Sequence, residues 1–178
     1  MVIDLQRGVA AMPCAHPVGE ITARAARLAQ AFRARQLPVI LVHVAGRAPG
    51  RTDQQTAFSP PAGWTELLPE LDRQPSDYAV TKQQPGAFFG TALEQILRRR
   101  GATQLVLAGI ATSIGVEATA RTAYDHGYHV VLVADAMTDR SLEAHRHSIE
   151  VIFPRIGETT TTKALLTRLA QGDGAPAG

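Results

Sequence analysis

The sequence predicts an α/β fold, a three-layer α/β/α arrangement around a mostly parallel sheet of roughly six strands. Two observations carry this. Short apolar or β-branched runs alternate with longer segments of helical period, which is the pattern of βαβ units. Several of those short runs are apolar throughout, as strands covered on both faces must be.

Strands are expected at 2–5, 39–44, 78–81, 105–108 and 130–133, with a weaker sixth at 159–162. Across 20–35, Ile21, Ala25, Leu28, Ala29 and Phe32 recur at the spacing of one helix face. Gly90 and Thr91 open a second helix, with Leu93, Ile96 and Leu97 on its apolar side. Arg98-Arg99-Arg100-Gly101 closes it, since basic charge followed by glycine suits a helix C-terminus. A third helix is expected at 116–126, stopped by Gly127. A fourth runs 141–153, with the Ser141 hydroxyl as its cap and Pro154 ending it. The last helix spans 163–170. Residues 45–61, with Gly46, Pro49, Gly50, Pro60 and Pro61, form the longest irregular stretch, and loops of that length in compact domains are usually functional or mobile. One domain over 1–171 is expected, followed by a flexible tail of Gly, Ala and Pro at 172–178.

Composition narrows the function. In 178 residues, 45% hydrophobic and 19% charged, no run approaches the ~18 consecutive apolar residues of a membrane span, and the balance excludes wholesale disorder. Eighteen basic against sixteen acidic residues give +2, too little to indicate nucleic acid. No targeting segment is readable in the first residues, so a cytoplasmic enzyme or binding protein is expected. The one cysteine, Cys14, forbids an internal disulfide and a cysteine-rich zinc site. Only two of the basic residues are lysines, Lys82 and Lys163, and Lys82 closes a predicted strand.

Ligands of an open parallel sheet sit beyond the carboxyl ends of its strands. The first predicted strand ends in Asp4, the third in Thr81-Lys82 and the fifth in Asp135. The fourth runs into Gly109-Ile110-Ala111-Thr112-Ser113-Ile114-Gly115, just before a helix. An acid, a lysine and a glycine-containing turn at a helix N-terminus form a candidate catalytic constellation. Each also has an ordinary role: the acid as a cap, the lysine as a solvated charge, the glycine as steric convenience. No Gly-x-Gly-x-x-Gly and no phosphate loop with lysine support a nucleotide-binding reading.

Three blocks resemble the isochorismatase-like hydrolases: Val2-Ile3-Asp4-Leu5-Gln6; Lys82 with Gly86-Ala87-Phe88-Phe89-Gly90-Thr91; and Gly109 through Ala120. Gly127-Tyr128, the apolar run 130–133 and Ala134-Asp135-Ala136 fit the same pattern, so the resemblance spans nearly the whole chain. It implies a three-layer α/β/α fold. It also implies, in many members, an Asp–Lys–Cys triad that hydrolyses C–N bonds. Asp4 matches the acid and Lys82 the lysine, while Gly115 stands at the nucleophile's position and has no side chain to form a thioester. Cys14, in a proline-flanked loop, is read as an incidental thiol. The isochorismatases proper also lack that cysteine and split a vinyl ether with the Asp as general acid. A neighbouring Lys⁺ lowers a carboxyl pKa, which opposes donation by Asp4 unless burial raises it again. The same pair suits Asp4 as a base orienting water, and the direction of the proton stays open.

The turn holding Thr112 and Ser113 is expected to offer backbone N–H groups as an anion or oxyanion site. The resemblance implies a non-proline cis peptide at or near Ile110-Ala111. Ser113 is read as a cap. Phe88, Ile110, Ala111, Thr112, Ser113 and Arg47 are the expected substrate contacts, with Phe89 and Arg51 as further candidates and arginine suited to a carboxylate. Trp64 is expected to pack a short helix or an interface. No metal and no cofactor are expected. Nicotinamidase-type relatives carry Asp-x-His after the second strand, whereas this chain reads His43-Val44-Ala45-Gly46-Arg47, and Asp53 has no nearby histidine. His145 and His147, two apart on a helix, point to different faces.

The leading expectation is a metal-free hydrolase of a small anionic molecule, acting on a vinyl ether or C–N bond, without nucleic-acid or membrane partners. A homo-oligomer is expected from the resemblance. The competing class is a family member that has lost chemistry and binds a ligand or partner.

Overall fold

The computed structural model describes residues 1–53 and 59–172. Its regular elements are β1 (Val2–Ile3), α1 (Arg7–Ala10), α2 (Val18–Ala34), β2 (Ile40–Val44), β3 (Tyr78–Lys82), α3 (Leu93–Arg99), β4 (Gln104–Ile110), α4 (Glu117–Asp125), β5 (His129–Thr138), α5 (Leu142–His147), β6 (Glu158–Thr160) and α6 (Thr162–Gln171). The six strands form one sheet in the order β3-β2-β1-β4-β5-β6, with every neighbouring pair parallel.

Strand periodicity sorts the core into two layers. Ile3, Ile40, Val42 and Val80 face Leu93 and Leu97 of α3, Ala120 and Ala123 of α4, and Phe153. Val2 and Leu41 face the opposite way, onto Ile21, Ala25 and Ala29 of α2, and Leu165 of α6 joins Leu28 on that side. The three-layer α/β/α arrangement is therefore present. Among the described residues no helix is long and apolar enough to cross a membrane.

Three features depart from simple periodicity. First, β5 runs through Thr138, well past the expected end at 133, and its pairing with β4 jumps from Leu107↔Leu132 to Gly109↔Met137, so 133–136 bulge out. Second, the single helix expected at 141–153 is α5, a π-helical turn at Ser148–Ile152 and a 3-10 turn at Phe153–Arg155. Pro154 enters that last turn at a position where its missing N–H costs nothing. Third, α1 arises between β1 and α2. Gly8 of α1 lies under Trp64, whose ring a Cβ there would meet at 2.0 Å, so Trp64 does pack a short helix. The tail expected from 172 lies outside the described residues from 173 onward, as do 54–58 of the long loop.

Gly109 brings β1 and β4 together. Its φ is +127°, and a Cβ would sit 2.0 Å from the Ile3 carbonyl oxygen. Only glycine allows that approach.

Candidate active site

The strand order reverses between β1 and β4, which places the ligand crevice of the sheet beyond their carboxyl ends. Asp4 follows β1 with φ +53°, a left-handed conformation uncommon outside glycine and characteristic of functional sites. Its N–H donates to the Val42 carbonyl at 2.9 Å, which seats the turn on β2. Lys82, the last residue of β3, reaches across so that Nζ donates to Asp4 Oδ2 at 2.7 Å. The other ammonium bonds go to the Pro85 carbonyl at 2.9 Å and the Gln84 carbonyl at 3.2 Å.

Both charges are withdrawn from solvent, Asp4 at 5% and Lys82 at 2% exposure. Lys82 is thus fully satisfied. Asp4 is not: among the described residues no hydrogen-bond donor reaches its buried Oδ1. Burial pushes the Asp4 carboxyl up to about 6, against the opposing pull of the Lys82 charge and hydrogen bond. Desolvation wins that contest.

The turn after β4 begins with a cis peptide at Ile110-Ala111, where the sequence resemblance implied one, and continues as a π-helical turn at Thr112–Val116. Insertions of this kind are frequent at functional sites. Gly115 packs against the ion pair. A Cβ on it would lie 3.1 Å from Asp4 Oδ2, 3.3 Å from Ile3 Cγ2 and 3.4 Å from the Ile110 oxygen. The amides of Ile114 and Val116 both donate to the Ala111 carbonyl at 3.1 Å, and that of Ser113 to Asp139 Oδ2 at 2.8 Å. Three of the turn's N–H groups are therefore engaged internally, and any anion contact by this turn falls to the others.

Asp4, Lys82, Arg47 and Arg51 border one open cavity of about 730 Å³, together with Asp53 and Ile114. Arg47 also donates to Thr52 Oγ1 at 3.2 Å. The expected substrate contacts divide. Arg47 lines the cavity; Phe88 does not, because it turns inward against the His126 ring at 5.1 Å and the Tyr128 ring at 6.2 Å. Ile110 and Thr112 are buried in the turn's foundations, and Ala111 and Ser113 are half-buried outside the cavity wall. The turn reaches the cavity through Ile114, 52% exposed. Ser113 caps nothing with its own hydroxyl, which donates to Asp139 Oδ2 at 2.8 Å.

Other groups have structural tasks. Asp135, the expected strand-end acid, lies in the β5 bulge and caps α6 by accepting from the Thr162 N–H at 2.7 Å and hydroxyl at 2.9 Å. Cys14 donates weakly to the Met12 carbonyl, and burial and Asp139 push its thiol pKa up, which suits an inert thiol. His43 bonds Thr81 Oγ1 at 2.6 Å. His145 is buried and bonds Thr112, whereas His147 is exposed, so the two do point apart. Among the described residues no group of three or more His, Cys, Asp or Glu is arranged to hold a metal ion. Asp139 and His145 escaped prediction as partners of the turn, because β5 was expected to end before its bulge. The signal available was Asp139 two residues ahead of the Ser141 cap.

Comparison with known proteins agrees with this geometry. The isochorismatase domain model matches residues 1–164. An uncharacterized isochorismatase family protein of Bacillus subtilis, YwoC, is 40% identical over 95% of this chain and 92% of its own. The ureidoacrylate amidohydrolase RutB of Methylobacterium radiotolerans is 30% identical over 90% of this chain and 71% of its own. A solved isochorismatase family protein from Burkholderia thailandensis superposes with a TM-score of 0.88 at 44% identity, covering 95% of this chain and 93% of that one. With a matching sheet, an Asp–Lys pair at its switch point and a domain match over nearly its full length, the chain belongs to the isochorismatase family of hydrolases.

Proposed function

We propose that this chain is a metal-free hydrolase of a small anionic metabolite, in which Asp4 moves the proton, Lys82 holds its charge, and no cysteine nucleophile takes part. The observation that carries the reading is the Asp4 carboxyl itself. It is buried, with one oxygen on Lys82 and the other without a hydrogen-bond donor among the described residues, and it borders a cavity that also holds Arg47 and Arg51. A carboxyl raised to about 6 works near neutrality as either acid or base.

On a vinyl ether, Asp4 delivers its proton to the terminal alkene carbon. Water adds to the resulting oxocarbenium carbon and returns a proton to Asp4, and the hemiketal collapses to a ketone and an alcohol. On a C–N bond, Asp4 takes a proton from the attacking water and passes it to the leaving nitrogen. Gly115 argues against a thioester in either case, and RutB, a relative named as an amidohydrolase, keeps the second bond class in view. The two arginines suit a carboxylate on the substrate. A cytoplasmic homo-oligomer, dimer or tetramer, accompanies this reading. Phe89, 82% exposed beside the Gln84 side chain, is an apolar surface that such assembly can cover.

The test is a screen of vinyl ethers, amides and imides with wild type and Asp4→Asn side by side. Loss of turnover by about 100-fold or more in the variant is expected. Turnover unchanged by Asp4→Asn overturns the assignment. Loss of chemistry with retained ligand binding is the second reading, favoured by Gly115. Tight binding of a screened compound by wild type without any conversion decides for it.

A further inference from the structure

We propose that Asp139 is a positioning residue for the candidate active site: its buried carboxylate grips the Thr112–Val116 turn and so sets where Gly115 lies against Asp4. The inference rests on the reading of Asp4 as the reacting group.

Asp139 directly follows β5 and is 3% exposed. Its Oδ2 accepts from both the N–H and the hydroxyl of Ser113, each at 2.8 Å. Its Oδ1 accepts from the Ser141 N–H at 3.3 Å, and its carbonyl from the Ala15 N–H at 2.7 Å. One residue thus ties together the turn after β4, the start of α5 and the loop leading to α2. Hydrogen bonds to an ionised acceptor are roughly twice as strong as neutral ones, so this is the firmest hold on the turn.

A second contact pulls the same way. Thr112, fully buried, shares a 2.8 Å hydrogen bond with His145 Nδ1. The His145 ring is backed by His16 at 4.7 Å, and the His16 N–H donates to Thr138 Oγ1 at 3.1 Å. Both residues ahead of Ile114 are therefore clamped from the end of β5 and from α5. Beyond the clamp, a Cβ on Gly115 would lie 3.1 Å from the Asp4 carboxylate, so close that the carboxylate would have to give by a few tenths of an ångström. The backbone at Gly115 therefore packs against Asp4 without slack. Misplacing a reacting geometry by ~1 Å costs on the order of 100-fold in rate. Asp139 does not line the cavity, so its effect passes through Ser113. Asparagine cannot replace it. All three bonds to the side chain come from donors, and either amide orientation sets an NH₂ against one of them.

The test uses the full chain carrying Cys14→Ser and Gly115→Cys, so that one thiol reports on the turn, with and without Asp139→Asn. Iodoacetamide, a neutral reagent, is applied at a pH where the thiol is ionised. The expected result is a change of about fivefold or more in the alkylation rate constant, against less than about twofold for Ser113→Ala, which keeps the N–H bond. A rate in Asp139→Asn within about twofold of its parent overturns the proposal. If that variant does not fold, Asp139→Glu, which keeps the charge and displaces it by one methylene, is judged by the same thresholds. Amide hydrogen exchange at Ile114 and Gly115 in the otherwise wild-type chain reads the same hold without a thiol, and about tenfold acceleration is expected in Asp139→Asn. The thiol needs no substrate, so failure here and failure of the hydrolase reading are separate results. On any compound that wild type turns over, Asp139→Asn lowers kcat about tenfold or more with KM little changed. A raised KM at unchanged kcat counts against the proposal.

Discussion

Lys82 Nζ lies 2.7 Å from Asp4 Oδ2 although their strands are not neighbours, since β2 runs between β1 and β3. Two strand spacings of roughly 4.8 Å separate the backbones, a gap that a lysine stem spans. The ammonium is then fixed by the Gln84 and Pro85 carbonyls, so the pair is held from both sides.

Replacing Lys82 by Met leaves burial acting alone on Asp4. Because both contributions of Lys82 lower the Asp4 pKa, their removal moves it further above 6. A carboxyl ¹³C titration of wild type against Lys82→Met measures this. A midpoint that stays or falls contradicts the ion pair as drawn.

The raised pKa also links to stability. Asp4 binds its proton more tightly folded than unfolded, so its contribution is fully present below about pH 3.8 and is lost as pH rises toward about 6. The loss is at most about 3 kcal/mol. It is read as the difference in unfolding free energy between wild type and Asp4→Asn across that range, with wild type losing ground as pH rises and the difference flat above it.

Two glycines separate crowding from collision. Gly115→Ala meets a carboxylate oxygen at 3.1 Å in a backbone region open to any residue, and a cost of about 1–2 kcal/mol is expected, with turnover lost because the Asp4 carboxyl is displaced. Gly109→Ala meets the Ile3 carbonyl at 2.0 Å with φ at +127°, and the β1–β4 pairing cannot form around it. Urea unfolding distinguishes them: a modest shift for the first, and for the second a loss of more than about 4 kcal/mol or no soluble protein.

Arg51→Ala and Arg47→Ala are expected to raise KM for an anionic substrate about tenfold each, with kcat changed far less, since the guanidinium groups bind without reacting. Equal effects on an uncharged analogue would remove the case for a carboxylate.

Much of this was legible along the chain. Five of the six strands coincide with apolar runs, and the sixth, β6, falls at the start of the Thr-rich segment. Helix α3 ends at its arginines, with Gly101 at φ +61° just beyond, and α5 starts from the Ser141 cap. Asp4 and Lys82 were readable as polar residues at the ends of predicted strands, their pairing with Gly115 came from the resemblance to the family's motif blocks, and the sheet brings all three together. These features are local: strand and helix periods, caps and glycine turns act over a few residues, so the sequence by itself determined them. The tertiary structure alone decided the rest. It turned Phe88 into the core and left Phe89 exposed, because which neighbour covers a side chain depends on how the turn from α4 into the start of β5 sets His126 and Tyr128. It moved the end of β5 past a bulge, making Asp135 a helix cap and Asp139 the hold on the turn. It also set the balance at Asp4. A neighbouring lysine argues for a lowered pKa, and only the depth of burial, a property of packing from every side, reverses that sign.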